Sequence, residues 1–215
     1  MLIPGAGSDS WYWHLVVPEL QQRGHDVVAV DLPCDDDSAG LAEYTDAVVD
    51  AIGDKTDLVL VAQSLGGFTA PLVCDRVAVD LMVLVAAMVP RPGETGGEWW
   101  VNTRHAEARG ADASDDPADM FLHDVPDDVI AASVAHLRVQ SGTPFEKPWP
   151  RDAWPDVPTR FLLCRDDRFF PADFQRRVVG ERLGIVPDEM DGGHLPALSR
   201  PQELAARLDA YARGR

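Results

Sequence analysis

Short apolar runs bounded by polar or turn residues recur along the chain, with amphipathic stretches between them. The runs lie at 26–30, 58–62, 81–86 and 160–164, with a shorter strand-like segment near Ile185-Val186. Runs of this length, apolar throughout, predict strands of a parallel sheet buried on both faces. Helical spacing of apolar positions predicts helices over 11–22, ending at Gly24, and over 41–52, ending at Gly53. Further helices are expected at 65–74, 171–183 and 201–211. Strand alternating with helix predicts an α/β fold with a doubly wound, mostly parallel sheet.

The rhythm breaks between Pro90 and Pro158. No strand signal appears there, and the stretch holds 9 of the 17 prolines and four of the six tryptophans, Trp99, Trp100, Trp149 and Trp154. Pro126 opens a helix expected to run to about Val139. An insertion of short helices between two strands reads as a helical cap, about 91–157, over the C-terminal edge of the sheet, where ligands of open α/β sheets bind.

At 215 residues the chain is expected to be one domain carrying that insertion, and it can bury roughly 70% of its unfolded surface. A hydrophobic fraction of 46% with 26% charged residues excludes disordered, collagenous and coiled-coil classes. No apolar run approaches the roughly 20 residues of a membrane span, and residues 1–5 lack a signal-peptide core. A cytoplasmic protein is the expectation. The net charge of −17 disfavours nucleic acid and anionic membrane surfaces as partners. Aspartate outweighs glutamate, and Lys55 and Lys147 are the only lysines, a bias expected of a GC-rich bacterial genome or of adaptation to salt. Cys34, Cys74 and Cys164 are too scattered for a zinc site and are expected to be reduced.

The sharpest chemical signal is 61–67, Val-Ala-Gln-Ser-Leu-Gly-Gly, at a strand-to-helix junction. Ser64 there fits the nucleophile elbow G-x-S-x-G, with Ala62 at the first glycine position. The alternative is a serine that only caps the helix. The Leu65 amide, at the helix start, would face a developing oxyanion. A serine needs a base. Of six histidines, His14, His25, His105, His123 and His136 fit surface or packing roles. His194 sits in a glycine-rich loop at the same sheet edge as Ser64 and is the expected base. A carboxylate must orient it. Asp167, after the strand ending at Cys164, is the expected partner, with Asp166 as its competitor. The loop at 4–7, Pro-Gly-Ala-Gly, places the Ala6 amide as the second oxyanion donor.

With these pieces in the order Ser64, Asp167, His194, the chain resembles the α/β-hydrolase superfamily over essentially its full length. Within it the chain is similar to the small plant methylesterase and hydroxynitrile lyase branch and its bacterial esterase relatives. The resemblance is carried by Gly5-Ala6-Gly7 with Trp11-Tyr12-Trp13, and by 24–27 through 30–33. It continues in Gln63-Ser64-Leu65-Gly66-Gly67, Asp167 with Pro171, Phe174-Gln175-Arg176, and Gly193-His194-Leu195-Pro196 with Pro201. It implies Ser64, Asp167 and His194 as the triad and the Ala6 and Leu65 amides as the oxyanion hole. Three positions depart from the pattern. Pro4 replaces a histidine that steadies the oxyanion loop. Only Leu2-Ile3 precede it where a longer strand is expected, which points to missing first strands or a start codon placed too late. Leu195 stands where the hydroxynitrile lyases carry a lysine, which favours ester hydrolysis over cyanohydrin cleavage. Ser64 itself argues against epoxide hydrolases and dehalogenases, which place aspartate at the elbow.

The expected activity is hydrolysis of a small, largely apolar carboxylic ester, thioester or lactone through an acyl-enzyme, with no metal or organic cofactor. Trp99, Trp100 and Leu195 are the expected pocket residues. A lyase on the same scaffold and a non-catalytic small-molecule binder are the alternatives.

Overall fold

A computed structural model describes residues 1–214. Five parallel strands form one sheet in the order β1 (Leu2–Ile3), β2 (Val59–Gln63), β3 (Leu81–Val85), β4 (Thr159–Cys164) and β5 (Asp188–Met190). Between and around them lie α1 (Val16–Gln22), α2 (Leu41–Ile52), α3 (Gly66–Val73), α4 (Gly96–Asn102), α5 (His105–Arg109), α6 (Pro117–Phe121), α7 (Asp127–Ser133), α8 (Ala172–Leu183), α9 (Pro196–Ser199) and α10 (Pro201–Arg213).

The period-two geometry of a strand divides the apolar runs between two cores. Leu60, Ala62, Met82, Leu84, Phe161 and Leu163 face the layer built by α2, α3 and α8. Val61, Val83, Val85, Leu162 and Cys164 face α1 and α10 on the other side. Helices therefore cover both faces, as the alternation predicts. All five residues of β3 are buried because it is the central strand. Register pairs Gln63 with Val85, and Val85 with Leu162, so the C-terminal ends of β2, β3 and β4 share one edge.

Several expected elements differ in detail. The segment 26–30 is a single bridge, Leu2 to Ala29, rather than a strand, because Leu2 alone makes both backbone bonds to it, its amide donating to Val28 O and its carbonyl accepting from the Val30 amide. The helix expected over 11–22 splits into a 3-10 turn, Ser10–Trp13, and α1. The Asp9 carboxylate accepts the Trp11 amide at 2.9 Å and starts the tighter turn. Gly24 follows α1 with φ +92, as a helix-ending glycine should. The last strand lies at 188–190, not 185–186, and Val186 is 92% exposed. The helix after Pro126 stops at Ser133, followed by a 3-10 turn through His136.

Between β3 and β4 the described residues form α4–α7 and short 3-10 turns, with no strand. This segment joins the main core. Trp99 and Trp149 are fully buried, and their indole N–H groups donate to Val89 O and Phe68 O, each at 3.0 Å. Among the described residues no helix is long and apolar enough to cross a membrane.

Candidate active site

Ser64 occupies the turn between β2 and α3 with φ +49, a left-handed conformation that non-glycine residues rarely hold. Such strain, of the order of 1–3 kcal/mol, persists where the surroundings impose it. Here the Ser64 amide donates to Val85 O at 3.3 Å and its carbonyl accepts from Met88 at 2.9 Å and Gly67 at 3.1 Å. The crowding expected of the elbow is real. A Cβ on Gly66 would lie 3.4 Å from Ala62 Cβ and 3.1 Å from Pro4 O, and one on Gly67 would lie 1.9 Å from Met88 O. Ala62, at the first glycine position of the motif, brings only a methyl group to this junction. A Cβ on Gly5 would meet Gln63 Oε1 at 2.2 Å, so the 4–7 loop runs close to the elbow through a glycine.

His194 Nε2 lies 3.1 Å from Ser64 Oγ, and His194 Nδ1 lies 2.8 Å from Asp167 Oδ2. With an ionised carboxylate at Asp167, Nδ1–H donates and Nε2 is left to accept from the serine hydroxyl. All three residues are buried. Asp167 Oδ1 accepts the amides of Phe169 and Phe170 at 2.9 and 2.8 Å, and the Gln175 amide reaches Oδ2 at 3.4 Å. Asp166 points elsewhere: its Oδ2 accepts the Gly192 amide at 3.1 Å. The structure therefore brings Ser64, His194 and Asp167 together and leaves Asp166 outside the line.

The amides of Ala6 and Leu65 have no protein acceptor among the described residues. Gly7, with φ +65, ties the same loop down, donating to Gln140 Oε1 and accepting from the Arg138 amide, each at 3.1 Å. These bonds come from residues outside the loop and supply anchorage despite Pro4.

The rings of Phe121, Phe169 and Phe170 stand 4.9–5.5 Å from the His194 ring. Trp99 and Trp100 lie one layer further out, against Phe170 at 5.5 and 6.1 Å. Trp99 is completely buried there, while Trp100 is half-buried against His105 and Phe169. Leu195 packs with Leu122 and Ile130 against the α1–α10 core. Phe169 and Phe170 are adjacent to the acid loop in sequence, a signal that periodicity does not weight. Gln63, also missed, donates to His194 O at 3.1 Å and so ties the turn that carries Ser64 to the His194 loop. A cleft of about 280 Å³ lies at the opposite edge of the sheet, lined by residues such as Met1, His25 and Lys55, and none of Ser64, Asp167 and His194 lines it.

The three cysteines are free, and burial pushes each thiol up, that of Cys74 to about 11. A thiol so raised is a poor nucleophile at neutral pH. Among the described residues no cluster of His, Cys, Asp or Glu could hold a metal ion.

The model for the alpha/beta hydrolase family matches residues 1–207. The chain belongs to that family. This α/β-hydrolase is 24% identical to methylesterase 3 of Arabidopsis thaliana over 248 residues, covering 97% of this chain and 93% of the relative. It is 27% identical to a pyrethroid hydrolase of Sphingobium wenxiniae over 244 residues, covering 99% and 86%. Its fold matches the crystal structure of polyneuridine aldehyde esterase with a TM-score of 0.82 at 20% identity, covering 98% and 97% of the two chains.

Proposed function

We propose that this α/β-hydrolase cleaves a small, largely apolar carboxylic ester through an acyl-enzyme on Ser64. The observation that carries the reading is the buried line from Ser64 Oγ through His194 to Asp167, at 3.1 and 2.8 Å. Relatives named methylesterase and pyrethroid hydrolase support the ester bond as target.

In this mechanism Ser64 Oγ attacks the ester carbonyl carbon while its proton passes to His194 Nε2. Asp167 stabilises the imidazolium from the Nδ1 side and holds the ring in the competent tautomer. The Ala6 and Leu65 amides take the oxyanion. Collapse breaks the ester C–O bond, and the leaving alcohol takes the proton from His194. Water then repeats the sequence against the acyl-enzyme and frees the acid and Ser64. Position 195 is an apolar leucine, which supports hydrolysis over a lyase reaction that needs a cation beside the base.

The segment 91–157 acts as the cap of the domain, and Phe121, at 5.5 Å from His194, is its closest ring to the base. The net charge of −17 supports a role without nucleic acid or anionic membrane partners.

Ester turnover and labelling by a fluorophosphonate probe test the reading together. Ser64→Ala is expected to lose both, with kcat down by roughly 10⁴- to 10⁶-fold and folding retained. A folded Ser64→Ala protein that keeps more than about a tenth of wild-type turnover defeats it.

A further inference from the structure

Two glycines precede His194, and each gives its amide to a carboxylate. Gly192 donates to Asp166 Oδ2 at 3.1 Å, and Gly193 donates to Asp124 Oδ2 at 2.7 Å. Asp166 belongs to the acid loop at the end of β4. Asp124 comes from a different part of the chain, the turn that follows α6. The same stretch meets the site twice more: Phe121 packs on the His194 ring, and Asp119 pairs with Arg168, the residue after Asp167.

A Gly-Gly tract has little conformational preference of its own, and Gly192 holds φ +114. The position of the imidazole must therefore come from what anchors the tract. A bond from an amide to an ionised carboxylate is shorter and about twice as strong as a neutral one. The contact is also closely fitted. A Cβ on Gly193 would lie 2.6 Å from Asp124 Oδ1 and 2.8 Å from His123 Nε2, so position 193 admits Asp124 only because it lacks a side chain. A displacement of about 1 Å at a reacting group costs on the order of 10² in rate.

We propose that Asp124 is a positioning residue: through Gly193 it holds His194 at hydrogen-bonding distance from both Ser64 and Asp167, and so couples the α6 stretch to the chemistry. This rests on the ester-hydrolase reading above. Asp124 makes no hydrogen bond to Ser64 or to the His194 ring, so its effect falls on the rate of proton transfer and not on substrate contact.

Asp124→Ala and Asp124→Asn separate this from a structural role, assayed by kcat and KM on a short-chain ester, by thermal melting, and by the NMR signal of the Nδ1 proton between His194 and Asp167. Asp124→Ala is expected to lower kcat about 10- to 100-fold with little change in KM, and to broaden the Nδ1 proton by solvent exchange. Asp124→Asn keeps an acceptor oxygen and is expected to recover most of the rate and the sharp signal. If the alanine variant does not fold, Asp124→Ser, too short to reach Gly193, is expected to show the same loss. Wild-type kcat with a sharp Nδ1 signal in either truncated variant overturns the proposal, as does a rise in KM at unchanged kcat. The Nδ1 signal is read without substrate. A wild-type protein that cleaves no ester therefore counts against the esterase reading alone.

Discussion

Adjacent aspartates at 166 and 167 receive different partners, because successive side chains leaving a strand end point in different directions. Asp167 meets the imidazole, and Asp166 meets the backbone of the loop that carries it. Asp167→Asn is expected to drop kcat at pH 7 by about 10⁴, since an amide can favour the wrong imidazole tautomer. Asp166→Asn keeps an acceptor for Gly192 and is expected to cost less than about tenfold, in line with one weakened hydrogen bond. Steady-state kinetics of the two variants decide it. A larger loss at 166 would move the acid by one residue.

At the scale of elements, the junction of β2 with α3 leaves no space for added atoms. Gly67→Ala would place a methyl 1.9 Å from Met88 O, a rigid backbone atom. The expected cost is about 1–3 kcal/mol, typical of overpacking, visible as a lower melting temperature. The helices between β3 and β4 make a second test. Trp99 lies fully buried behind Phe170, so Trp99→Ala is expected to lose about 3–5 kcal/mol of stability. Trp100 is only half-buried, and Trp100→Ala is expected to leave the fold intact and to alter KM across an acyl-chain series. An unchanged chain-length profile would make Trp100 a packing residue and leave Phe121 and Phe169 as the rings that meet substrate.

For the whole molecule, two buried polar contacts join the α4–α5 region to the sheet layer, and both respond to pH. Arg182, on α8, forms a two-pronged ion pair with Glu94, with both side chains at most 3% exposed. Burial alone would raise the Glu94 carboxyl, but bonds from Arg182 and Asn102 outweigh it and hold it below the usual carboxylate range. Glu94→Ala is expected to cost about 3–5 kcal/mol by stranding a buried guanidinium. His105 is buried and donates from Nε2 to Phe169 O at 2.7 Å. Burial lowers its pKa below 6.5, and the bond to Phe169 only partly opposes this. The unfolded chain therefore takes up this proton first as pH falls, and stability declines from about pH 6.5 down to the lower folded value. Urea titrations at pH 7.5 and 5.5 are expected to show a smaller drop in midpoint for His105→Gln, which keeps a donor but does not titrate. An equal drop in both proteins would place the pH sensitivity elsewhere.

Much of this architecture follows from local physics and is therefore legible in the chain. Runs such as 81–86 are short, apolar throughout and bounded by polar or turn residues, which favours a doubly covered strand, α2 begins and ends where its periodicity does, and Gly66 and Gly67 announce the crowding behind Ser64. Other features depend on distant partners. Whether 26–30 becomes a strand depends on how much of β1 lies beside it, and the segment has only Leu2 to bond. The helices expected over 11–22 and after Pro126 are shorter than their periodicity suggests, and in the first of them the Asp9 carboxylate starts a 3-10 turn ahead of α1. Apolar composition marks Trp99 and Trp100 as pocket candidates, yet the tertiary packing sets Phe121, Phe169 and Phe170 against His194. Residue type and spacing thus determined β2, β3 and β4, the elbow and the candidate nucleophile and base. Only the tertiary structure decided which aspartate faces the imidazole, which rings enclose it and which carboxylates anchor its loop, because those contacts join segments 24 to 73 residues apart.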